Sequence, residues 1–316
     1  MAGYNELHGL KVKYLSADPS NPEDGQVWYN STTGNLRVKG VAIAAFASAA
    51  ALPTGTSTYN RAGTMTAGLF AGGNTSTGFS TATYEWNGSG WTSGGAIGTA
   101  LYSNTGFGTQ TAGASAAGRP TNGSSGDTNA TFEYDGSSWT SVNAANLAAR
   151  TRQSFGIQTA AAMVGGFSQS GGSYTNATEE YDGTNWTTVT VMPAATASAN
   201  AIGTQTAAIV SLGGAPTVAT TYVAYDGTNW TSSPSANIAR ARSAAGGTGA
   251  TSTAGLVIGG TPYNPSVVAE TWDGTSWANS ASITTARYGA GVSDGNTNGI
   301  IAGGRTAPGF ETAVEE

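Results

Sequence analysis

Arginine returns at one phase of a repeating pattern in this chain, at Arg61, Arg150, Arg152, Arg240, Arg242 and Arg287, and glutamate returns at another, at Glu85, Glu133, Glu179 and Glu270. A guanidinium recognises a carboxylate through paired hydrogen bonds. Such a set either meets an acidic partner at a channel mouth or is used up in Arg to Glu and Arg to carbonyl bonds between repeats. Four aromatic residues, Phe79, Tyr174, Tyr263 and Phe310, lie in polar stretches rich in Asn and Ser. There a ring can stack on a sugar while its neighbours hydrogen-bond to the hydroxyls; the alternative is plain loop packing. Together with Arg150, Arg152, Arg240, Arg242 and Arg287 these aromatics form the candidate ligand-binding set.

The residue types that are missing bound the chemistry further. With no Cys and the single His8 in 316 residues, the chain has no thiolate nucleophile, no disulfide and no multi-histidine metal centre. No pair of carboxylates stands with an arginine as a glycosidase would need. We therefore expect no catalytic residue, no metal ligand and no cofactor. A net charge of −6 without a basic cluster argues against nucleic acid, whose binding neutralises phosphates with Lys and Arg. The chain shows no charged-then-apolar secretion signal, and its longest apolar stretch, Val41 to Leu52, is too short to span a bilayer. The expectation is a soluble chain without membrane insertion.

The elements that must position these residues are set by a repeat. Trp91, Trp139, Trp186, Trp230 and Trp277 recur at spacings of 48, 47, 44 and 47 residues, each closing a motif such as Tyr181-Asp182-Gly183-Thr184-Asn185-Trp186. An apolar run ending in paired glycines precedes each, with glycines placed at 72, 118, 165, 213, 259 and 303 and Arg119 standing for the second glycine of the degenerate copy. Each repeat holds four candidate strands, as one propeller blade requires. In the third copy these are Arg152 to Phe155, Ala160 to Val164, Ala177 to Tyr181 and Trp186 to Val191. Asp-Gly marks the hairpin between the last two, because that turn needs positive φ. Strand two is almost wholly apolar because a blade is buried on both faces. Six glycine positions but five Trp-marked outer strands imply that Val41 to Ala50, with Phe46 in the tryptophan place, supplies the missing strand. The expected architecture is all-β: a six-bladed propeller over residues 41–316, closed by an N-terminal strand. Residues 1–40 stand outside the repeat, with a hairpin of Gln26 to Asn30 and Asn35 to Lys39. Leu10, Val12, Leu15, Trp28 and Tyr29 are the candidate attachment residues, since so short a segment cannot bury a core alone.

Paired glycines followed by a Tyr-Asp turn and a Trp resemble the kelch repeat. The phrases GFGTQTAG (106–113), ATEEYDGTNWTT (177–188) and LSADPSNPEDGQVWYNSTTGNLRV (15–38) resemble kelch-like virion proteins of tailed bacteriophages, marine ones especially. The resemblance implies a non-enzymatic virion structural protein, assembled in the host cytoplasm and displayed on tail fibre, tail or capsid. It would attach to other virion proteins through residues 1–40, form a homo-oligomer in the particle, and contact host-surface glycans. The copper enzymes of the kelch family need a cysteine and several histidines that are absent here. The alternatives are a carbohydrate-active propeller enzyme and a purely structural spacer or decoration protein. In this architecture the Gly-Thr-Gln-Thr and Asp-Gly turns share one rim, uniform from blade to blade, and the loops between strands two and three share the other. Variable loops on a rigid scaffold are the better binding surface.

Overall fold

The computed structural model describes residues 12–19, 26–38, 45–57, 60–120, 126–211, 216, 221–233, 246–260, 265–293, 299–306 and 309–316. Leu10, Tyr263, Arg240 and Arg242 lie outside the described residues. The chain divides into two compact units, Met1–Ala44 and Ala45–Glu316. Described residues of both form strands and turns, with no helix among them.

The first unit contains the expected hairpin, as strands Val27–Asn30 and Asn35–Val38, and a strand not foreseen, Lys13–Leu15, which runs parallel to Val27–Asn30. Side chains alternate between the faces of such a sheet. On one face Trp28 is buried and its indole N–H donates to Asp18 at 2.8 Å, as does the Asn30 amide. On the other, Tyr14, Tyr29 and Leu36 stand directly opposite one another across the three strands, with the two tyrosine rings 5.1 Å apart. Tyr14 is 74% exposed and Leu36 66%. Trp28 is thus withdrawn from the candidate attachment set by its burial and its bond to Asp18. Val12 is exposed, Leu15 and Tyr29 half-buried.

Among its described residues the second unit holds six four-stranded antiparallel sheets. The first comprises Asn60–Thr64, Ala67–Ala71, Thr83–Trp86 and Trp91–Gly94; the second Thr105–Gly108, Gly113–Ala116, Thr131–Tyr134 and Trp139–Val142. The third comprises Gln153–Ile157, Ala160–Val164, Thr178–Tyr181 and Trp186–Val189, within two residues of the strands read from sequence. The fourth runs Asn200–Thr204, Ala207–Ser211, Tyr222–Tyr225 and Trp230–Ser233, and the fifth Gly246–Thr251, Ala254–Ile258, Ala269–Trp272 and Trp277–Asn279. The sixth takes Gly291–Ser293, Ile300–Ala302 and Val314–Glu315 from the far end of the chain, and its outer strand is Ser48–Ala49, paired with Val314–Glu315.

The sheets meet face to face, and each meeting has its own apolar cluster. Phe107 and Ala114 of the second sheet pack with Met163 and Tyr181 of the third; Phe155 and Val164 of the third pack with Val210 and Tyr225 of the fourth. Phe70 and Trp86 of the first sheet pack with Ile300, Ala302 and Val314 of the sixth. The first strand of each sheet lies beside those of its neighbours, and that of the sixth beside that of the first. Burial on both faces explains why the second strands are apolar without alternation.

Among the described residues, paired glycines end the second strands of the first, third, fifth and sixth sheets because the backbone there turns through positive φ, as at Gly165 (61°) and Gly166 (111°). A Cβ on Gly165 would lie 2.5 Å from the Thr196 carbonyl oxygen. One glycine assignment is corrected. Gly118 is the second glycine of its pair, since its N–H reaches the next connector at Ala149 just as Gly166 reaches Thr196. Ala117, at φ 58°, stands for the first, so Arg119 already belongs to the loop.

Candidate functional site

The two ends of the sheets differ in chemistry. At one end the Asp-Gly turns lie against the turns between strands one and two: a Cβ on Gly183 would meet Thr159, and one on Gly136 would meet Thr111. Asp135, Asp182, Asp226 and Asp273 each accept the N–H groups two and three residues ahead. These bonds favour the ionised form. The Ser138 N–H, then the Ser137 hydroxyl and N–H, bring Asp135 down to about 2. Beside these turns Gln110, Gln158 and Gln205 reach back to the preceding sheet. Gln158, for example, donates to the carbonyls of Gly113 at 2.9 Å and Tyr134 at 3.1 Å. This end is occupied with holding sheet to sheet.

At the other end strands one and two continue past the glycines, pairing Ser57 with Asn74, Tyr102 with Arg119, Arg150 with Phe167 and Tyr288 with Arg305. The loop that follows folds back. Phe79 pairs with Asn74, Tyr174 with Phe167 and Phe310 with Arg305. The residue after each, Ser80, Thr175 and Glu311, donates its N–H to the carbonyl of the second glycine, and Thr128 does so in the second sheet. Phe79, Tyr174 and Phe310 therefore hold one structural position, and Asp127 holds it in the second sheet.

Asp127 gathers the cluster around it. Its side chain is fully buried, and its carboxylate takes Arg150 Nη1 at 2.9 Å, Arg119 Nε at 3.4 Å and the Gln169 N–H at 2.7 Å. The Gln169 side-chain oxygen receives Arg119 at 2.7 Å and Arg150 at 3.1 Å. Arg150 lies 4.6 Å over the Phe167 ring, which meets Tyr174 edge-on at 5.1 Å. On the other side Tyr102, paired with Arg119, stacks on Phe79 at 5.0 Å. The arc Phe79, Tyr102, Arg119, Asp127, Arg150, Phe167, Tyr174 thus crosses the first three sheets. It unites Phe79, Tyr174 and Arg150 of the sequence-derived set. Phe310 occupies the matching place in the sixth sheet, where Arg305 covers its ring at 4.8 Å. Tyr102, Arg119, Asp127 and Phe167 were not assigned to the ligand-binding set from sequence. Only the repeat phase, extended past the glycines, would have shown them.

Arg152 and Arg287 are corrections. They are 2% and 0% exposed, each ion-paired inside the molecule, Arg152 with Glu179 and Arg287 with Glu315, so neither lines a rim. Each glutamate also accepts two successive N–H groups of the connector ahead of its sheet: Asn146 and Leu147 for Glu179, Thr284 and Thr285 for Glu315. Burial pushes the Arg152 guanidinium down and the Glu179 carboxylate opposes it. The strand-three glutamates form two rows rather than one. Glu179, Glu270 and Glu315 share a register place, whereas Glu85, Glu133 and Glu180 lie one residue further on, each facing a tyrosine of the following sheet. Tyr134 donates to Glu85, Tyr181 to Glu133 at 2.9 Å and Tyr225 to Glu180 at 2.8 Å. Burial first, then these bonds, push the three hydroxyls well above the usual tyrosine range. Among the described residues no three His, Asp or Glu side chains converge as a metal cage would require. The arc's chemistry is hydrogen bonding, charge and stacking.

No protein-family model and no curated protein sequence matches the chain. Among solved structures, "Structure of YjhT" superposes with a TM-score of 0.68 at 15% identity, over 84% of this chain and 96% of that one. At that identity the likeness bears on architecture alone: the chain has an all-β, propeller-like fold.

Proposed function

We propose that the chain is a non-enzymatic structural protein of a phage virion, a six-bladed kelch-like β-propeller held to the particle by residues 1–40 and presenting its loop-bearing end to saccharides on the host surface. Six four-stranded sheets with an apolar contact at each meeting, sixth on first included, support the six-bladed ring. The pairing of Ser48–Ala49 with Val314–Glu315 supports its closure from the N-terminal side. The phage-like wording of Leu15 to Val38 motivates the virion role, and the row of Tyr14, Tyr29 and Leu36, exposed at Tyr14 and Leu36, gives that segment an apolar face for other virion proteins.

One observation carries the non-catalytic reading. The repeated Gln, Tyr, Trp and Glu side chains are engaged in fastening one sheet to the next, and what varies from sheet to sheet is gathered at one end as an arc of rings and guanidinium groups. Aromatic faces beside hydrogen-bonding side chains suit sugars, which present apolar ring faces and polar edges. The test is quantitative mass spectrometry of purified particles of the source phage. A fixed ratio to the major capsid protein is expected: a few copies per particle for a tail or fibre location, hundreds for a capsid decoration. Absence from the particle would overturn the virion role and favour a carbohydrate-active enzyme instead.

A further inference from the structure

We infer that the arc over the first three sheets recognises a saccharide bearing a carboxylate. This rests on the surface-glycan reading above and names the ligand class. The argument begins with donors and acceptors. Two guanidinium groups, Arg119 and Arg150, share the one carboxylate of Asp127, which is fully buried and also takes the Gln169 N–H. One positive charge is left over. Both arginine side chains are 20% exposed, so that charge reaches the surface. Arg150 makes its hydrogen bonds to Asp127 and Gln169 through Nη1, and among the described residues the donors on Nε and Nη2 have no partner and are left for a ligand. Arg119 donates through Nη2 to Gln169, its buried Nε lies 3.4 Å from Asp127 without a hydrogen bond, and among the described residues no partner takes Nη1.

The cluster therefore offers donors and has already used its acceptors. A neutral sugar brings hydroxyls that need both; a carboxylate brings acceptors only, in the planar geometry that a guanidinium matches best. Its single negative charge also equals the unbalanced positive one. The rings supply the second requirement. The Phe79–Tyr102 stack lies on the Arg119 side and the Phe167–Tyr174 pair on the Arg150 side. A pyranose can rest on either pair while its carboxylate turns toward the arginines. Bases of a nucleic acid could also stack, but the chain's net charge of −6 disfavours a polyanion.

The experiment is calorimetric titration of the full chain with oligosaccharides of galacturonate, glucuronate and mannuronate, with the methyl ester of each, and with a sulfated neutral oligosaccharide. The acids are expected to bind at least tenfold more tightly than their esters, an advantage that falls as salt rises. Arg150→Gln should erase that advantage, with the thermal melt confirming a folded chain. Tyr174→Ala, outside the ion cluster, should weaken acid and ester alike. Equal binding of acids and esters, or tighter binding of the sulfated sugar, would overturn the carboxylate assignment and leave the glycan reading standing. Binding of none of these saccharides would remove both.

Discussion

Glu179 and Glu180 are neighbours in sequence and serve opposite faces of the same strand, because successive side chains of a strand point to opposite sides. Glu179 meets Arg152 and two connector N–H groups in full burial; Glu180 accepts the Tyr225 hydroxyl of the next sheet. Their removal should therefore differ in cost. Glu179→Ala strands a buried guanidinium and is expected to cost about 3–5 kcal/mol, whereas Glu180→Gln keeps a hydrogen-bonding partner for Tyr225 and should cost about 1 kcal/mol. Replacing Arg152 and Glu179 together by Met and Leu should recover most of the larger loss, since a well-packed apolar pair avoids the desolvation that both ions suffer. Urea melts of the three variants check this, and equal losses for the two single variants would contradict it.

At the scale of the element, the Asp-Gly turn links sequence, shape and pH. Four of these turns are held by an ionised aspartate, and the first sheet makes the same turn with uncharged Asn87, which accepts from the Ser89 and Gly90 N–H groups. The folded state depresses the aspartate pKa values, so their contribution is present above the unfolded value of 3.8 and is lost as pH falls through the folded one, about 2 for Asp135. Thermal melts from pH 5 to pH 2 should show a decline that flattens when Asp135, Asp182, Asp226 and Asp273 are all changed to Asn. An unchanged decline would place it elsewhere. The glutamine on the facing turn is the second fastener: Gln158→Ala leaves two carbonyls without their donor and should cost about 1–3 kcal/mol in a denaturant melt. These elements were legible in the sequence because they are local. Tyr-Asp-Gly and the Trp at fixed spacing report a turn and the strand after it, and both lie where expected. The arc was legible only in part. Phe79, Tyr174 and Phe310 stand out as rings in polar loops, but Asp127 fills the same place from a loop of different length, and Ala117 takes a glycine's φ without being glycine. The register that aligns Tyr102 with Arg119, and Lys13–Leu15 with Val27–Asn30, is set by pairing between distant segments, which no short window of sequence contains.

For the molecule as a whole, the variable end and the attachment segment make separate predictions. Changing Tyr14 and Leu36 to Ser removes two exposed apolar side chains of the first unit. The doubly substituted chain should remain folded by thermal melt yet be lost from particles by mass spectrometry; full incorporation would show that another surface attaches it. The outer strand of the sixth sheet has a consequence of a different kind. Ser48–Ala49 leaves the ribosome ahead of the other strands of the sheet-forming unit, while its partner Val314–Glu315 leaves only after the first five sheets have emerged. At about 5–20 residues per second, that strand waits on the order of tens of seconds for its partner. Each intermediate sheet can form on the sheet before it as it emerges, but the final seam cannot exist until Val314–Glu315 has been made. Throughout that interval the nascent chain presents an open edge to its neighbours on the same message, so crowded translation is the moment at which one copy can capture the strand of another.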